Sequence, residues 1–187
     1  MSTKFENLRI AGAKLLMTPV FTDVRGGFEV FWEQADLAAS GFAFSPSNAH
    51  HSYNARTGTV RAFHFQRPPH GQAKLVSCVS GKTWDVILDL RPESPTFRQW
   101  DVIDLAAASG RSVYIPKGCA HGFATLENNT TVAYLIEGEY RPESAAVVRW
   151  NDPALGINWP VPNPIISDKD RKAPDLESYL EQEKLKS

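Results

Sequence analysis

The run Gly58 to Lys74, GTVRAFHFQRPPHGQAK, puts an arginine, a histidine and a lysine on what reads as one extended strand and its turn. Arg61 can grip a phosphate through two N–H donors, His64 can take a proton near neutral pH, and the Lys74 ammonium can stabilise an oxyanion. Together they suit proton abstraction beside a carbonyl on a phosphorylated substrate. In a regular strand Arg61 and His64, three residues apart, point to opposite faces, so a shared cavity requires a bulge or sharp bend near Ala62.

The other histidines raise the question of metal. His64 is followed by Phe65 and Gln66, so no His-x-His pair shares a strand face, and Lys74 would repel a divalent cation. His50 and His51 are adjacent, which sends their rings to opposite faces of an extended strand, and His70 lies in a turn between Pro69 and Gly71. His121 follows the turn Pro116-Lys117-Gly118 and precedes Gly122, where small neighbours let a ring lie close to backbone or ligand. It either bonds a turn carbonyl or faces a ligand. Tyr134 is either a core aromatic with a satisfied hydroxyl or a phenol aimed into a cavity. Asp170, within Ser167-Asp168-Lys169-Asp170, reads by itself as part of a solvated charge cluster.

The elements that position these groups are strands. Phe28, Val30 and Trp32 share one face at period two, as do Trp84, Val86, Leu88 and Leu90. Further strands are expected over Lys74 to Val79, Gln99 to Leu105, Ser112 to Ile115, Gly122 to Leu126, Thr131 to Ile136 and Ala146 to Trp150, separated by Gly, Pro, Asn and Asp turn signals. Eight or more strands at that spacing predict an all-β jelly roll with a cavity between its sheets. Two helices flank it, near Gln34 to Ala39 and from about Asp175 to Leu185, and the Pro-rich piece from Trp159 to Pro164 reads as a strap over the barrel. The 187 residues suit a single domain, with an N-terminal arm over about 1–30 and the strap and last helix over about 159–187.

With 20 Lys and Arg against 21 Asp and Glu, the net charge of -1 offers no general field for nucleic acid or anionic membrane, so phosphate binding must be local. Cys78 and Cys119 lack zinc spacing, and neither a charged n-region nor an apolar h-region opens the chain, so a reducing cytoplasm is expected. No apolar run approaches the ~20 residues of a membrane span.

From Phe21 to Pro174 the chain resembles the dTDP-4-dehydrorhamnose 3,5-epimerase family. The resemblance is carried by Asp23-Val24-Arg25-Gly26-Gly27-Phe28-Glu29, Ser52-Tyr53-Asn54, Gly58-Thr59-Val60-Arg61, His64-Phe65-Gln66 and Lys74-Leu75-Val76. It continues through Asp85-Val86, Asp89-Leu90-Arg91, His121-Gly122-Phe123, Tyr134, Trp150-Asn151-Asp152-Pro153 and Lys169-Asp170. The resemblance implies a cupin-type jelly roll (double-stranded β-helix) that dimerises and needs neither metal nor cofactor. It implies an epimerase acting on carbons beside the C4 ketone of a nucleotide-diphosphate 4-keto-6-deoxyhexose, at C3 and C5 or at C3 alone. His64 would be the general base supported by Asp170, Tyr134 the acid on the opposite face, and Lys74 with His121 the stabilisers of the C4 oxyanion. Arg61 and Arg25, the latter from the local or a dimer-related arm, would hold the diphosphate, with Phe28, Glu29 and Lys169 lining the site.

Four positions depart from the family pattern: Asn48 and His50 replace a usual glutamine and asparagine, Ala62 a glycine, and Ala145 a glutamate. They fall in the binding region and imply a shifted nucleotide-sugar preference. Beside the epimerase reading stand a cupin that binds nucleotide sugars without turnover and a metal-dependent cupin enzyme, the latter disfavoured by the lone His64 and by Lys74.

Overall fold

Apolar residues at alternate positions commit most of this chain to strands, and a strand hides its apolar face only by packing against another layer. The computed structural model describes residues 3–39, 41 and 43–185. Its elements run β1 (Lys4–Asn7), β2 (Lys14–Met17), β3 (Val20–Asp23), β4 (Gly26–Glu29), α1 (Gln34–Ala39), β5 (Asn48–Asn54), β6 (Val60–Gln66), β7 (Ala73–Ser80) and β8 (Lys82–Asp89). They continue with β9 (Trp100–Ala106), β10 (Arg111–Ile115), β11 (Cys119–Thr125), β12 (Thr130–Glu137), β13 (Ala145–Val147), α2 (Asp168–Arg171) and α3 (Leu176–Lys184).

One sheet orders its strands β1-β2-β10-β7-β12-β5, the facing sheet β13-β6-β11-β8-β9, and β3-β4 form a separate hairpin. This is the cupin-type jelly roll. Val76, Val113, Ile115 and Val132 of the first sheet meet Ile87, Ile103, Leu105 and Phe123 of the second in a fully buried inter-sheet core. The outer faces are covered as well. Leu37, Phe44, Phe31 and Trp32 pack over Leu16 and Leu75 of the first sheet, while Trp150, Trp159, Leu176 and Tyr179 pack over Phe63, Val86 and Leu88 of the second. Central strands are therefore apolar on both sides, and the Val86 and Leu88 face meets the C-terminal strap instead of the facing sheet.

The expected strands and both helices are present within a few residues. Helix α3 starts where Asp175 accepts a hydrogen bond from the Ser178 amide at 2.8 Å, an N-cap that satisfies one of the helix's free donors. Two expectations are corrected. The strand that carries Phe28 stops at Glu29, so Phe28 lies 67% exposed on the projecting hairpin, while Trp32 turns back onto the first sheet. The last strand ends at Val147 instead of Trp150: Val148 still exchanges backbone hydrogen bonds with Phe63, but the Arg149 amide turns to the Pro174 carbonyl instead of to β6. Among the described residues no helix is long and apolar enough to cross a membrane.

Candidate active site

The site begins with an irregularity in β6. His64 pairs with His121 of β11, but Arg61 pairs with Phe123, so Ala62 and Phe63 together face the single residue Gly122. That is a one-residue bulge at the position required to put Arg61 and His64 in one cavity. The Ala62–Phe63 peptide within it is cis. Gly122 permits the close approach: a Cβ there would lie 2.4 Å from the Ala62 side chain and 3.0 Å from its Cα. The bulge also frees the Ala62 amide, which donates to Asp170 Oδ2 at 3.3 Å.

Asp170 is the centre of this arrangement. Its Oδ1 lies 2.8 Å from His64 Nε2, and its backbone amide donates to Ser167 Oγ at 3.2 Å, capping α2. The carboxylate is 3% exposed, so the solvated reading of this residue is overturned: α2 folds back onto β6 and buries it. Burial pushes its pKa up, but the hydrogen bond and charge of His64, with the Ala62 and Ser167 contacts, outweigh that and hold it below the ordinary carboxylate value. The anion then fixes His64 with Nε2–H inward and the Nδ1 lone pair available as a base.

A second histidine–carboxylate pair lies beside the first. His121 Nε2 is 2.6 Å from Asp85 Oδ1, and Thr83 donates its hydroxyl to the other carboxylate oxygen. Both residues are buried, and desolvation leads the causes that lower the His121 pKa, so its ring is neutral at pH 7.

The facing sheet supplies the remaining groups. Lys74 on β7 donates from Nζ to the His64 carbonyl at 3.3 Å, and burial lowers its pKa to about 8. Tyr134 on β12 lies opposite His50 in register, stands edge-on to the His121 ring at 6.0 Å, and its hydroxyl is 3.2 Å from Ser52 Oγ. Desolvation raises the phenol pKa, so Tyr134 keeps its proton throughout the physiological range. These groups border a cavity of about 720 Å³ that opens between the sheets.

His50, Arg61, His64, Lys74, His121, Tyr134, Lys169 and Asp170 all line that cavity, as does His51 despite its adjacency to His50. Arg61 spends Nε on Asn54 Oδ1 at 2.8 Å, and among the described residues its terminal nitrogens have no partner, which leaves them for a ligand. Asn48 is not in the lining; its side-chain amide donates to Ser47 Oγ at 3.0 Å and the Gly138 carbonyl at 3.2 Å. Arg25, Phe28 and Glu29 also stand apart from it on or beside the hairpin, with Arg25 paired to Asp23 and Glu29 accepting from the Gly110 amide. Sequence reasoning gave no role to Ser52 or Asp85, which hold Tyr134 and His121, nor to Tyr140, an exposed ring at the cavity edge. Ser52 and Asp85 are both polar residues two positions from another inward group on the same strand, which is the signal that could have found them. Among the described residues no three His, Cys, Asp or Glu side chains gather as a metal-ligand set.

Known proteins resemble this chain both in sequence and in fold. The family model described as dTDP-4-dehydrorhamnose 3,5-epimerase matches residues 7–178. A dTDP-4-dehydrorhamnose 3,5-epimerase of Sinorhizobium fredii is 39% identical over 177 residues, covering 92% of this chain and 89% of its own. The crystal structure of the Bacillus anthracis dTDP-4-dehydrorhamnose 3,5-epimerase, solved with TDP and PPi bound, superposes with a TM-score of 0.90 at 42% identity, covering 94% of this chain and 100% of that one. A 3'-monoepimerase from Streptomyces bikiniensis, solved in complex with dTDP-quinovose, gives a TM-score of 0.87 at 32% identity and covers 94% of this chain and 89% of its own.

Proposed function

We propose, from the premise that the chain belongs to the dTDP-4-dehydrorhamnose 3,5-epimerase family, that its cavity epimerises a nucleotide-diphosphate 4-keto-6-deoxyhexose by proton transfer alone. The observation that carries this reading is the division of labour between the sheets. His64 stands on one, Tyr134 and Lys74 on the other, so a flat enolate between them can lose a proton from one face and regain one on the opposite face.

His64 Nδ1 takes the proton from the carbon beside the ketone, and the C–H electron pair moves to the C4 oxygen. The imidazolium that forms is stabilised by Asp170, while the Lys74 ammonium meets the oxyanion in a setting of low dielectric, where such a contact exceeds its value in water. Tyr134 then delivers its hydroxyl proton to carbon from the other side, inverting the centre. The phenolate and the imidazolium return to their starting states by exchange with solvent. His121 has already given its N–H to Asp85, so it serves as a neutral wall that holds the Tyr134 ring, and Lys74 is the donor to the oxyanion. No cofactor takes part in this sequence of steps.

The free nitrogens of Arg61 grip the diphosphate, Lys169 adds charge at the rim, and the exposed Tyr140 ring offers the base a stacking surface. Arg25, Phe28 and Glu29 join the site through a homodimer: the exposed Phe21, Val24 and Phe28 give the hairpin an apolar surface suited to the partner's cavity rim. His50 and Ala145, which line the cavity, shift the preference among nucleotide sugars, and the enzyme works in the cytoplasm. Incubation with dTDP-4-keto-6-deoxyglucose in heavy water tests the reading. Two deuterons in the product mean exchange at C3 and C5, one means exchange at a single carbon, and none with dTDP-, CDP- or UDP-linked ketosugars would refute the epimerase.

A further inference from the structure

We propose that Ser52 is a positioning residue for the proton donor: its hydroxyl donates to the Tyr134 phenol oxygen, turning the phenol hydrogen toward the substrate and stabilising the phenolate left after transfer. The inference rests on the epimerase reading and extends it to a residue that never touches the reacting carbon. Ser52 Oγ and the Tyr134 hydroxyl are 3.2 Å apart, and either could be the donor from position alone. The surroundings decide the direction. Among the described residues each hydroxyl has the other as its one protein hydrogen-bond partner, so a Tyr134 that donated to Ser52 would have no hydrogen left for the enolate. Catalysis by Tyr134 therefore requires Ser52 to be the donor.

The backbone is arranged to hold Ser52 in place. Ser52 pairs with Val132 and His50 with Tyr134, so Ser52 and Tyr134 are diagonal neighbours on one face of the β5–β12 ladder, within reach of a long side chain. The buried Asn54 amide donates to both the Ser52 and the Thr130 carbonyls at 3.2 Å, pinning the edge strand to β12. The same Asn54 accepts from Arg61 Nε, so the group that grips the diphosphate and the group that aims the acid share one anchor. The His121 ring, 6.0 Å away at 72°, limits the tilt of Tyr134 from the other side.

Without the serine hydroxyl the phenol O–H can rotate away, and the developing phenolate loses its donor. Abstraction by His64 is untouched, so the enolate more often recovers a solvent-derived proton from the face that lost it. The experiment is turnover of dTDP-4-keto-6-deoxyglucose in heavy water by wild type, Ser52→Ala and Ser52→Thr, with mass spectrometry for exchange and proton NMR for configuration. In Ser52→Ala the ratio of inverted to merely exchanged carbon is expected to fall about 10- to 100-fold, the usual worth of one hydrogen bond to a charged group, with KM unchanged. Ser52→Thr, which keeps the hydroxyl, restores the ratio. A wild-type ratio in Ser52→Ala overturns the inference, as does a folded Ser52→Thr that behaves like the alanine variant. Absence of exchange in the wild type would instead strike the epimerase reading itself.

Discussion

Two histidine–carboxylate pairs stand side by side on β6 and β11, made of the same atoms at nearly the same distance, yet they are built for opposite purposes. His64 and Asp170 meet at 2.8 Å, His121 and Asp85 at 2.6 Å, each through Nε2. The His64 side chain is 40% exposed and that of His121 5%. Asp170 reaches His64 from α2, 106 residues away, and is steadied by the amide that the bulge releases. Asp85 comes from β8, the neighbouring strand in the same sheet, and is steadied by Thr83 two residues before it. Access therefore separates the roles: an open ring backed by an anion can carry a proton to and from substrate, whereas a closed one is held neutral and fixed. Pair geometry by itself would have assigned both histidines the same function.

The contrast breaks most sharply at His64. His64→Asn should lower kcat by roughly a hundredfold to ten-thousandfold while nucleotide binding, measured by calorimetry with dTDP, persists. Asp170→Asn keeps the shape but removes the anion that stabilises the imidazolium, and a loss of about 10- to 100-fold in kcat is expected. The matching change in the closed pair should act elsewhere. Asp85→Asn puts an amide against the Thr83 and His121 donors and is expected to cost about 1–3 kcal/mol of stability, read as a lower urea midpoint, with a much smaller change in kcat. If Asp85→Asn cut kcat as deeply as Asp170→Asn at unchanged stability, the distinction between carrier and wall would be wrong.

Lys74 sharpens the comparison through pH. Burial lowers its pKa to about 8, so the ammonium is intact at pH 7 and is lost as pH rises through that value. An oxyanion stabilised by Lys74 predicts a kcat that falls above about pH 8, close to tenfold per unit. Tyr134 does not produce this limb, because its pKa is raised, and Lys74→Arg, which stays charged, should displace the limb upward in a stopped-flow or NMR rate profile.

Much of this site was legible in the sequence because its groups are spaced by strand geometry. Alternation marked the strands that carry Lys74 and Tyr134, and the three-residue offset between Arg61 and His64 demanded the bulge that Gly122 accommodates. Asp170 was not legible from its own neighbours. A carboxylate in a run of Asp and Lys looks solvated, and only the return of the strap, bridged to β6 where Thr59 meets Ile165, brings it under the bulge. The resemblance to a family supplied what local chemistry withheld. Phe28 failed in the other direction: alternation promised a packed face, but among the described residues hairpin β3–β4 pairs with no other strand, and the Phe28 ring lies exposed.

The smallest expected effect on turnover comes from a third buried carboxylate, Asp89, which lies outside the cavity and tests whether acid sensitivity belongs to the fold or to the site. Asp89 is fully buried and accepts from Arg91 Nε and Nη2, Ser94 Oγ and Thr96 Oγ1 at 2.6–2.8 Å. Burial alone would raise its pKa, but these donors, led by Arg91, prevail and hold it at about 2. The folded value lies below the unfolded one. The stabilisation is therefore complete above the ordinary carboxylate range and is lost as pH falls from about 4 toward 2, a contribution of roughly 1–2 kcal/mol. Asp89→Asn leaves the Arg91 charge without its partner and should cost about 2–4 kcal/mol at pH 7, with kcat of the folded fraction unchanged. Its penalty relative to wild type should shrink between pH 4 and pH 2, because wild type is losing the same interaction by protonation. Urea unfolding at several pH values measures both trends. A penalty independent of pH would show that the carboxylate's charge is not what holds this turn, and an equal fall in kcat would tie Asp89 to the site after all.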